Sequence, residues 1–148
     1  MISASSSHEP SSVGPNNARL NVDTAGGAWC PRGLIDSDAK EFIDVDLGQP
    51  HLVTAVQTQG RFGNGHGQEY AEAFVLEYWR EGMKNFTRYL GRSGQSVLPG
   101  NTNTYSVVEN RMDSPLMASK IRIRPYSKHP RTVCMRIEIV GCSYKGEV

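Results

Sequence analysis

The sequence predicts an all-β fold, a sandwich or barrel of roughly eight strands. Three observations carry this. Apolar and polar residues alternate cleanly in several short runs. Fifteen glycines and eight prolines in 148 residues supply turns at short spacing. No segment sustains a helical period. The length fits one domain with a real core.

The elements follow in order. Residues 1–28 are Ser-, Asn- and Gly-rich and read as loops with one or two short strands. Residues 41–47 form a half-buried strand, with Ile43, Val45 and Leu47 inward and Asp44 and Asp46 outward. Gly48-Gln49-Pro50 ends it, and residues 52–57 form the next. Residues 73–79, apolar on both faces from Phe74, read as a central strand. Shorter strands are expected at 86–90, 96–98 and 105–108. In residues 117–125, Ile121 and Ile123 alternate with Arg122 and Arg124. In residues 133–140, Met135, Ile137 and Ile139 point inward and Arg136 and Glu138 outward.

Bulk properties narrow the function. A net charge of +1 with no Lys/Arg run gives no footprint for nucleic acid. No apolar stretch reaches the ~20 residues of a membrane helix, and no signal peptide is legible. Any leader or anchor is therefore expected outside this chain. The three cysteines, Cys30, Cys134 and Cys142, match no zinc spacing. They suit a long-range disulfide, and the odd count leaves one partner missing or one thiol free. Asn85-Phe86-Thr87 is an N-glycosylation sequon. Together these point to an extracellular protein.

Catalytic chemistry finds no support. Gly91-Arg92-Ser93-Gly94 is not a nucleophile elbow. The four histidines (His8, His51, His66, His129) have no metal-site spacing. The Gly-x-Gly-x-Gly of residues 63–67 precedes no helix that would receive a phosphate. No cofactor is implied, and no carboxylate cluster demands a metal. Asp44 and Asp46 read as a solvated strand face. Arg122, Arg124, Arg131 and Arg136 read as strand residues in solvent.

The loop of residues 58–70 stands apart. Four glycines (Gly60, Gly63, Gly65, Gly67) surround Arg61, Phe62, His66 and Glu69. Binding groups concentrate on such loops when a rigid scaffold holds them. Arg61 and Glu69 are placed to pair if the loop doubles back. The pair then either braces the loop, worth ~0–1 kcal/mol if exposed, or lines a recognition pocket. Phe62 is either tucked under the loop or offered to a partner. Trp29 beside Cys30 either packs or binds.

Longer motifs carry a resemblance. Ala28-Trp29-Cys30-Pro31, Glu41-Phe42-Ile43-Asp44-Val45-Asp46-Leu47, Thr58-Gln59-Gly60-Arg61 with Gly65-His66-Gly67 and Glu69, Val133-Cys134-Met135-Arg136-Ile137-Glu138 and Gly141-Cys142 occur in that order. Together they resemble the discoidin (coagulation factor V/VIII type C) family, most closely the N-terminal domains of the discoidin domain receptors, with an invertebrate member expected. The resemblance covers residues 1–142 and leaves 143–148 as an extension or linker. It implies an eight-stranded jelly-roll-like β-barrel with binding loops at one end.

The family further implies a non-catalytic extracellular domain that binds collagen or a related matrix protein. Its parent would be a receptor tyrosine kinase at the cell surface, anchored by a transmembrane helix outside this chain and with homodimerisation as an option. Binding of anionic phospholipid or of glycans is the alternative within the family. The resemblance pairs Cys30 with Cys134 as the floor of a binding trench and gives Cys142 a partner upstream of Met1. It places Arg61 and Glu69 in the trench wall. Three trench positions depart from the receptors: His8 or a neighbour stands for a Trp, Gly26 for an Asp and Thr132 for an Asn. His8, Phe62 and Thr132 are then expected to shape the apolar floor.

Overall fold

The computed structural model describes residues 1–144. Seven strands make up one continuous sheet: β1 (Ile2–Ala4), β2 (Ile43–Gln59), β3 (Ala73–Trp79), β4 (Thr87–Arg88), β5 (Val97–Pro99), β6 (Val108–Tyr126) and β7 (Arg136–Ser143). The long strands β2 and β6 take different partners along their lengths. The first part of β2 pairs with the end of β6, Ile43 opposite Ile123, and with β1. The second part pairs with the start of β6, Thr58 opposite Val108, and with β7. The end of β6 also holds β3, which carries β4 and β5.

The all-β class is as expected, but the strands divide differently. Gly48-Gln49-Pro50 does not end a strand. Gly48 takes a positive φ of 83°, and the ladder to β6 slips between Asp46 and His51 before resuming. The step takes five residues of β2 against two of β6, so the chain makes an irregular excursion and then pairs again. Two expected strands are therefore one. Residues 105–107 lie outside any strand, because Asn103 Oδ1 accepts the N–H groups of Tyr105 and Ser106 and holds a turn there. A single helical turn, Pro10–Val13, interrupts the N-terminal loops.

The main core joins Trp29, Ile43, Val53, Phe74, Leu76, Ile121, Ile123, Met135 and Ile137. Trp29 packs there fully buried, its Nε1–H donating to the Ser6 carbonyl. Val13, Ala28, Cys30 and Cys134 form a second, separate cluster beneath the loops. The outward face carries a row of charges in register across four strands: Asp44, Arg122, Glu77 and Arg88. Arg122 grips Asp44 with two hydrogen bonds of 2.8 and 2.9 Å, and Arg124 binds Glu77 at 2.8 Å. Asp44 is thus bound within a charge ladder.

Arg136 departs most from expectation. Strand alternation puts it opposite Met135 and Ile137, yet it is buried. The loops fold over that face, and the guanidinium donates to the carbonyls of Gly60 at 2.7 Å, Val22 at 3.1 Å and Thr104 at 3.0 Å. Burial pulls its pKa below the usual arginine value, and the nearby Asp23 opposes that shift.

Candidate functional site

The loop of residues 58–70 does double back. The Arg61 N–H donates to the Glu69 carbonyl at 2.8 Å, and the N–H groups of Gly65 and Gly67 both reach the Phe62 carbonyl at 2.9 Å. Two glycines are required by close approach. A Cβ on Gly60 would lie 2.6 Å from that of Tyr70, and one on Gly67 would run into the Arg61 carbonyl. Asn64 adopts a left-handed conformation, φ 55°, and its N–H donates to Asp23 Oδ2 at 2.8 Å. The loop is therefore pinned to its neighbours.

This folding brings Arg61 Nε within 2.8 Å of Glu69 Oε1, with about a quarter of each side chain exposed. A second guanidinium nitrogen of Arg61 reaches the Gly26 carbonyl at 3.4 Å. For Glu69, burial acts to raise the pKa. The hydrogen bond from Arg61, the Gln68 N–H and the Arg61 charge outweigh it, so the carboxyl sits below its usual 4.5. A depressed folded-state pKa adds stability above the unfolded value, and that contribution is lost as pH falls through the folded one. The stability difference between the native protein and Glu69→Gln should therefore hold steady above about pH 5 and shrink below 4.5. Urea titrations of both proteins across that range check this.

Arg61 and Glu69 form one wall of an open trench of about 450 Å³. Cys30 and Cys134, joined by a disulfide, lie in its lining with Val13 and Ser12. His8 and Thr132 line it as well, both exposed. His8 is positioned by its N–H, which donates to the Cys30 carbonyl at 2.8 Å. Gly26 also lines the trench, and a Cβ there would collide with Val13 Cγ1 and the Ser12 carbonyl. An Asp at this position therefore needs a different course of residues 12–13.

Phe62 points elsewhere. It lines a neighbouring hollow of about 170 Å³ with Asp23, Gln59, Tyr105 and Arg136. There it is 37% exposed beside Tyr105 at 61%, so it is offered to solvent outside the trench. The trench lining also includes a stretch that sequence reasoning missed, Pro31, Arg32, Gly33 and Leu34. Leu34 is 65% exposed, the large apolar side chain on the trench rim. Ser6 Oγ accepts the Arg32 N–H and donates to Glu41 Oε1, which anchors that stretch. Cys142 is a free, exposed thiol on β7, and Asn85 is exposed in the turn before β4. Among the described residues no cluster of His, Cys, Asp or Glu could hold a metal.

A two-layered β-sandwich with a loop-built trench at one end defines a scaffold for ligand binding by loops. The chain belongs to the F5/8 type C domain family, whose model matches residues 1–139. It is 48% identical over 98% of its length to discoidin domain-containing receptor A of Caenorhabditis elegans and 36% identical over 97% to human epithelial discoidin domain-containing receptor 1. It spans 19% and 16% of the lengths of those relatives. Among solved structures, discoidin II of Dictyostelium discoideum superposes with a TM-score of 0.81 at 20% identity, covering 98% of this chain and 56% of that one. A family 32 carbohydrate-binding module of Clostridium perfringens superposes with a TM-score of 0.65 at 14% identity, covering 94% and 91%. At those identities the structural likenesses establish the fold.

Proposed function

We propose that this domain is the extracellular ligand-binding part of a discoidin domain receptor-like protein and binds collagen or a related matrix protein in the trench. The observation that carries this reading is the Arg61–Glu69 pair on the wall of a trench whose lining includes the Cys30–Cys134 disulfide. A collagen triple helix is a thin rod that displays charged and apolar side chains at regular intervals. An open trench with a charged wall and an apolar rim complements such a rod. Arg61 and Glu69 pair with charges of opposite sign on the ligand, Leu34 supplies the apolar contact, and His8 and Thr132 shape the ends. Phe62 lies outside this contact.

The test is binding of the purified domain to immobilised collagens. Arg61→Ala and Glu69→Gln are each expected to weaken it about thirtyfold, the effect of losing a central charged anchor worth ~2 kcal/mol. Binding to no collagen, or binding indifferent to both substitutions, would sink the reading.

One observation favours a second reading. Phe62 and Tyr105 expose two aromatic side chains around one hollow, and apolar loop tips can insert into a bilayer. Co-sedimentation with phosphatidylserine vesicles that is abolished by Phe62→Ser with Tyr105→Ser, and untouched by Arg61→Ala, would select it.

A further inference from the structure

A second groove, of about 380 Å³, lies on the outer face of β3 and β6 and shares no lining residue with the trench. At its far end Trp79 faces Lys120 across the ladder, six residues along β3 from Ala73. That is about 20 Å from the loop end at ~3.3 Å per residue. We propose that this groove binds a sulfated polysaccharide.

Among the described residues, four cations line it, Lys84, Lys120, Arg122 and Arg124, against one lining carboxylate, Glu77. Arg122 and Arg124 are held in place by Asp44 and Glu77. Arg122 is also stacked between Phe42 and Phe86, at 3.9 and 4.0 Å from the ring centres. Lys84 and Lys120 make no ion pair among the described residues. The Lys120 ammonium rests 5.0 Å from the Trp79 ring centre, where the ring orients it without neutralising it. The site thus offers two unpaired ammonium groups on a floor of fixed guanidinium groups and aromatic rings. Sulfates match the ammonium groups, and the apolar faces of sugar rings match the faces of aromatic rings. A bilayer fits less well, because none of the exposed large apolar side chains lines the groove.

The experiment uses the full chain from bacteria, so that Asn85, which lines the groove, carries no glycan. Heparin oligosaccharide is the probe, with desulfated heparin and phosphatidylserine vesicles as further arms. Lys84→Gln with Lys120→Gln should weaken heparin binding about tenfold, two charges each contributing a few-fold in water. It should leave collagen binding unchanged and lower the melting temperature by no more than about 4 °C, the loss of one exposed cation–π contact. Arg61→Ala should leave heparin binding intact, which separates this site from the trench. The proposal is overturned if the double variant binds heparin like the native protein, if Arg61→Ala abolishes that binding, if desulfated heparin binds equally well, or if only the vesicles respond to the lysines.

Discussion

Replacing Cys30 and Cys134 together by serine, with Cys142→Ser in both proteins to prevent thiol exchange, should destabilise the domain by about 4 kcal/mol. The bridge spans a sequence separation of 104. Closing a loop of that order removes up to ~4.7 kcal/mol of denatured-state entropy in the chain-entropy model, and native disulfides typically contribute 2–5. The loss should reach the trench before it reaches the barrel. Cys30 and Cys134 pack with Val13 and Ala28 in a cluster separate from the main core. The Cys30 backbone also anchors His8 and Val13, through bonds of 2.8 and 2.9 Å. Equilibrium urea unfolding measures the global effect, and hydrogen exchange at His8 and Cys30 measures the local one. A loss below about 1 kcal/mol, with unchanged protection at those amides, would show that the loops hold the trench without the bridge.

The fold class was legible because period-two alternation is a local signal. Ile43, Ile121, Ile123 and Ile137 are all buried as their spacing predicts. Strand continuity was not legible. Gly48-Gln49-Pro50 has the composition of a turn, and only the partner strand shows that the chain makes an irregular excursion there and pairs again. The loop of residues 58–70 announced itself by mixing glycines with charged and aromatic residues. Its composition could not say which way each side chain points. Arg61 turns to Glu69 and the trench, while Phe62, the next residue, turns to Tyr105.

The Arg32–Leu34 stretch gave no signal, since a short irregular loop has neither period nor motif. It reaches the trench through Ser6 and Glu41, which are distant in sequence. The trench pairing of the cysteines came from family resemblance, and three cysteines alone leave it open. Arg136 shows the limit of alternation most plainly. The pattern assigns a side chain to the outer face of a strand, but it does not reveal that three loops cover that face.

Arg136→Met should cost about 3–5 kcal/mol and lower the melting temperature by about 10 °C. Methionine fills much of the volume but donates nothing. The carbonyls of Val22, Gly60 and Thr104 would each lose a charge-assisted donor, and an unsatisfied buried acceptor costs ~1–3 kcal/mol. Asp23 would suffer too. Its Oδ1 is buried with no hydrogen-bond partner among the described residues, and the Arg136 charge lies close enough to act on it. Arg136→Lys should recover only part of the loss, because a single ammonium cannot reproduce the planar fork that reaches three separate loops. The same variants test how the trench is held. Gly60 precedes Arg61, so freeing its carbonyl loosens the strand end from which the Arg61–Glu69 wall springs. Ligand binding at a temperature where Arg136→Lys is fully folded should therefore fall several-fold, although Arg136 does not line the trench. Melting within about 2 °C of the native protein for Arg136→Met would mean that ordered water replaces the guanidinium, and the loops would then be held by their own backbone hydrogen bonds.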